Sequence, residues 1–139
     1  MRTLCACLLA LTLLAGCGES AEDKAQSSIC NSRANIKKQV DELAGLTPST
    51  LTLDGVKGNL NAIRGDLKQI RQDQGDLKGD RKQETQQAWQ TFSGEVKKIG
   101  GSLLTSLSGA DAKQQLAASF DTLATSFRSA FEPIDCSDA

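Results

Sequence analysis

Apolar residues recur at three- and four-residue intervals through most of the chain. A first set, Ile29, Ile36, Val40 and Leu43, is followed by Gly45, the spacing of a helix that lays one face on a core and has a stop signal behind it. The segment Leu46-Thr47-Pro48-Ser49-Thr50 reads as a turn. A second set runs through Val56, Leu60, Ile63, Leu67, Ile70, Leu77, Ala88, Phe92, Val96, Ile99, Leu103 and Leu107. It predicts a central helix over residues 54–107, about 80 Å long if unbroken. A third set, Leu116, Phe120, Leu123, Phe127 and Phe131, begins behind Ser108-Gly109-Ala110-Asp111 and ends before Pro133. That tetrapeptide has the layout of a capping box with Asp in place of Glu.

The pattern predicts an all-α fold over residues 29–139: an elongated antiparallel helical hairpin or bundle, with one long central helix and two shorter helices folded back on it. Helix one would bring Cys30 opposite about residue 70. Residues 71–87 of the long helix are polar, with Gln74 and Arg81 at heptad steps. On this arrangement the two shorter helices meet over that stretch and leave little apolar surface there to cover. Gly65, Gly75 and Gly79 each weaken a helix by about 1 kcal/mol relative to Ala, and Gly100-Gly101 add to this. A break giving four shorter helices is the alternative.

Composition agrees with helices. The chain has no His or Tyr, one Trp and two Pro, while Ala, Leu, Lys, Gln, Asp and Ser are plentiful. Its 16 basic and 17 acidic residues nearly cancel. No strongly basic surface is implied, and none of the electrostatic footprint that nucleic-acid binding needs.

The amino terminus carries an address. Arg2 precedes an apolar and small-residue run over residues 4–16, which gives way to Cys17, Gly18, Glu19 and Ser20. This is the layout of a signal peptide, and the run is shorter than the roughly 20 residues a membrane-crossing helix needs. Leu14-Ala15-Gly16-Cys17 resembles the lipobox of bacterial lipoprotein signal peptides, in which an apolar and two small residues precede a cysteine. The resemblance implies cleavage before Cys17 and diacylglyceryl on its sulfur, hence a chain held on the cell membrane or outer membrane, outside the cytoplasm. Residues 1–16 are then the signal peptide and residues 17–28, small and polar, a lipidated tether. The rest of the chain looks loosely like small helical envelope lipoproteins, a likeness that implies no activity.

Export changes the meaning of the cysteines. Cys5 and Cys7 leave with the signal peptide and Cys17 carries lipid, so Cys30 and Cys136 remain as an even pair where disulfides persist. A bridge between them would stabilise the domain by about 4 to 5 kcal/mol on the chain-entropy model.

Candidate chemistry is sparse. The acids between Asp73 and Glu84 span the length of a calcium loop, but Gly75, Leu77 and Lys78 stand where such a loop needs ligands and its glycine. Gly65-Asp66-Leu67-Lys68 and Gly75-Asp76-Leu77-Lys78 repeat without the spacing of a phosphate loop. With no histidine and no nucleophile elbow, no catalytic residues, metal ligands or cofactor are expected. Trp89, beside Ala88 and Phe92, either covers the junction of the shorter helices or anchors a partner. The function expected is a non-enzymatic envelope component that offers helical surface to another protein. A carrier or sensor of an apolar ligand, held among Leu103, Leu104, Phe120 and Phe127, is the alternative.

Overall fold

A computed structural model describes residues 18–103 and 109–137. The expected signal peptide, the lipobox with Cys17, the expected seam and cavity residues Leu104 and Leu107, and Ser108 of the expected capping box lie outside the described residues, as does the side chain of Leu103.

Helix α1 (Ala21–Ala44) starts where Ser20 and Asp23 cap each other's backbone. Ser20 Oγ accepts from the Asp23 amide at 3.1 Å, and an Asp23 carboxylate oxygen accepts from the Ser20 amide at 3.3 Å and from its hydroxyl at 2.7 Å. Two orphan amides are thereby satisfied. Residues 21–28, expected in the tether, are therefore helical, and Ala25 is buried. The signal was present as Ser20-Ala21-Glu22-Asp23, masked by the small and polar character of the segment.

Thr47, Ser49 and Thr50 tie the first turn together through their hydroxyls. Helix α2 (Leu53–Asp73) follows, with Thr52 as its N-cap accepting from the Gly55 amide. The expected 54-residue central helix does not form. It is interrupted at residues 74–78, and α3 (Gly79–Leu103) begins on a left-handed glycine, Gly79 at φ +55°. Leu77 turns inward and is 2% exposed, so the turn is pinned to the core. The polar stretch marks this turn and the first turns of α3, not a meeting point of shorter helices. Helix α4 (Ala110–Phe131) has Gly109 at its N-cap and no side-chain cap.

The four helices pack as a ring in chain order, α1 on α2, α2 on α3, α3 on α4 and α4 on α1. Ser28 bonds Asp73 and Asn35 bonds Asp66, so α1 and α2 are antiparallel and Cys30 stands level with about residue 70. Phe92 of α3 meets Phe127 and Phe131 of α4 edge-on at 5.4 and 5.6 Å, and those two stack at 5.0 Å. The core is continuous from Ala25 to Ile134, the up-and-down bundle that short connections between neighbours favour.

Cys30 and Cys136 close the ring. Their Cα atoms are 5.7 Å apart and their sulfurs at bonding distance, 2.01 Å. Beside them Gln26 Nε2 donates to the Asp135 carbonyl and Arg33 Nη1 to the Ile134 carbonyl, so the segment after α4 is held along α1. No described helix is long and apolar enough to cross a membrane.

Candidate functional site

The concave feature with the most coherent chemistry is a groove along the α2–α3 seam, 210 Å³ in volume. Its floor is Leu67 of α2 with Trp89, Ser93 and Val96 of α3. Leu67 and Val96 are buried, because they belong to the apolar periodicity that forms the core.

The Trp89 indole N–H donates to the Leu67 carbonyl at 2.9 Å. This bond fixes the ring across the seam, half-buried, with one side toward the groove. The Arg71 guanidinium carbon sits over the ring, 5.2 Å from its centroid, a cation–π contact.

Four cations line the groove: Arg64, Lys68 and Arg71 from α2 and Lys97 from α3. The three on α2 follow i, i+4, i+7 spacing, which places them on one helix face. No carboxylate lines the groove, and none of the four cations is ion-paired among the described residues. Asp66 and Asp73 of α2 turn the other way. Asp66 accepts from Asn35 of α1, and Asp73 accepts from Ser28 at 2.6 Å and from Gln69 at 3.0 Å. Glu95 of α3 is taken by Lys98 at 2.6 Å.

The Arg64 guanidinium reaches across the seam to Gly100, where an added Cβ would push this flexible side-chain end aside.

The residues singled out from sequence thus divide. Cys30 and Cys136 are brought together, and Trp89 becomes the floor of a charged groove. Phe120 is fully buried and Phe127 stacks on Phe131, so these two positions serve the aromatic core. Asp73 is engaged by Ser28 and Gln69, and among the described residues no three His, Cys, Asp or Glu side chains converge as metal ligands. What the sequence reading missed is the stripe Arg64, Lys68, Arg71, a charge pattern at helical spacing.

Such an arrangement can hold an apolar group against Trp89 while cations meet anions around it. No family model, no curated protein and no solved structure matches the chain.

Proposed function

We propose that this chain is a non-enzymatic bacterial envelope lipoprotein, lipidated at Cys17, that docks another envelope protein on the α2–α3 groove. The observation that carries the docking reading is the juxtaposition of a half-buried Trp89 with four cations that have no carboxylate partner in the groove. Tryptophan and arginine are residue types enriched at interface hot spots.

The membrane address rests on Leu14-Ala15-Gly16-Cys17. With α1 capped at Ser20, a lipid on Cys17 would hold the bundle within about 10 Å of the surface, three residues of extended chain. The α1 start, the α2–α3 turn and the segment after α4 would face the membrane, and the groove would lie on the flank.

Two experiments test this. Incorporation of an alkynyl palmitate analogue, lost in Cys17→Ser, supports the anchor; equal labelling of the variant removes it. In-cell photo-crosslinking from position 68 or 97 should give a discrete protein adduct, with position 38 on α1 as the comparison. Absence of adducts at both 68 and 97 removes the docking reading, whether or not position 38 gives one. The rim serves better than position 89, because Trp89 holds α3 to α2.

A carrier of an apolar ligand is the second reading, favoured by the apolar floor of the same groove. Saturable displacement of a bound dye by lipids would support it, and absence of saturation would remove it.

A further inference from the structure

We infer that the occupant of the groove is an acidic amphipathic segment of a partner protein: one apolar side chain enters against Trp89, and flanking carboxylates meet Arg64, Lys68, Arg71 and Lys97. This rests on the docking reading above and gives it a chemistry.

Size argues first. A cavity of about 150 Å³ accepts a benzene-sized group, and pockets for drug-sized ligands start near 300 Å³. At 210 Å³ the groove takes one aromatic or branched side chain.

Charge argues second. The whole chain carries a formal net charge of -1, yet this seam concentrates four cations and no acid. The segregation is built into α2, whose Asp66 and Asp73 bond to α1 residues while Arg64, Lys68 and Arg71 face α3. Ion pairs made over the apolar floor would be less screened than pairs in open solvent.

Spacing argues third. Arg64 and Arg71 are two helical turns apart, about 10 Å along the axis. Carboxylates on one face of a helix repeat at that same interval, with an apolar residue free to project between them. Position argues against an anionic lipid surface as occupant, because the groove lies on the flank and α1, capped by Ser20 three residues after Cys17 in sequence, starts at the bundle's end.

The test uses the full chain with its thiols oxidised and reads the emission of Trp89, the sole tryptophan. The probe is a synthetic amphipathic peptide with one central phenylalanine and glutamates at three- and four-residue spacing around it. A saturable emission change is expected, weakening as salt rises. Replacing the peptide's glutamates by glutamines, or making Lys68→Glu/Lys97→Glu in the protein, should weaken binding about tenfold or more. The control Lys24→Glu/Lys38→Glu, on α1, should leave it unchanged, with circular dichroism verifying that each variant is folded.

No saturable response, or equal affinity for the glutamine peptide, overturns the inference. So does binding of decanoate as tight as that of the peptide, which would make the groove a small-carboxylate site. Salt-sensitive self-association abolished by Lys68→Glu/Lys97→Glu would replace the partner with a second copy of the chain. In-cell adducts from position 68 or 97 without a saturable response to the peptide would overturn this inference and leave the docking reading standing, whereas adducts at neither position remove both.

Discussion

The indole nitrogen of Trp89 lies 2.9 Å from the carbonyl oxygen of Leu67 and joins α3 to α2 by a bond from the middle of one helix to the middle of the next. Trp89→Phe keeps an aromatic floor and removes this bond. It should cost about 1 kcal/mol, the usual net worth of a neutral hydrogen bond. Trp89→Ala also loses packing and should cost about 2 to 3 kcal/mol, less than truncation of a fully buried ring. Urea unfolding followed by circular dichroism measures both; equal costs would mean that the hydrogen bond contributes nothing.

The bridge between Cys30 and Cys136 spans 106 residues of chain. Constraining so long a loop restricts the unfolded ensemble, and the Cys30→Ser/Cys136→Ser variant should be about 4 to 5 kcal/mol less stable than the oxidised protein. Reduction of the parent protein should reproduce most of that loss. Retention of full stability in the double variant would show that the neighbouring bonds of Gln26 and Arg33 hold α4 to α1 unaided.

Two glycines should respond in opposite directions to the same substitution. Gly65 is inside α2, and a Cβ there meets nothing within 4 Å. Gly65→Ala should stabilise by about 0.5 to 1 kcal/mol through helix propensity. Gly79 has φ +55° at the start of α3, where an alanine is strained, and Gly79→Ala should destabilise by about 1 to 2 kcal/mol. Thermal unfolding of the pair checks the sign, and a stabilised Gly79→Ala would contradict the left-handed turn.

Acid should loosen the ends of the ring first. Hydrogen bonds from Ser20 hold the Asp23 carboxyl below its ordinary value of 3.8, and those from Ser137 do the same for Asp135. A carboxyl depressed in the folded state contributes stability that is present above 3.8 and is lost as the pH falls through the lower folded value. Protection of the first-turn amides of α1 against hydrogen exchange should therefore fall below about pH 4. In Asp23→Asn that fall should be absent; an unchanged acid profile would show that the cap does not titrate.

Much of the fold is legible in the order of residues. The apolar steps from Ile29 to Leu43, from Val56 to Ile70 and from Leu116 to Phe131 are the buried faces of α1, α2 and α4. Helical periodicity is a local property, so it survives without knowledge of neighbours. The pairing of Cys30 with Cys136 could also be read, because the expected removal of Cys5 and Cys7 and lipidation of Cys17 would leave these two as each other's partner.

Only the tertiary structure decides where the long apolar pattern breaks and which charges converge. Gly65-Asp66-Leu67-Lys68 and Gly75-Asp76-Leu77-Lys78 are nearly the same words, yet the first is helix and the second is turn. Both leucines are buried. The difference is that the second is followed by Gly79, whose left-handed backbone lets the chain reverse so that α3 and α4 cover the apolar faces of α1 and α2. One unbroken helix would have left much of that surface in water, and its burial outweighs the few hydrogen bonds lost at the turn. The groove follows from the same reversal. Trp89 and Lys97 meet Leu67, Lys68 and Arg71 only because α3 runs back along α2. Composition and periodicity determined that this chain makes amphipathic helices; the reversal at residues 74–78 decided which of their polar residues face one another.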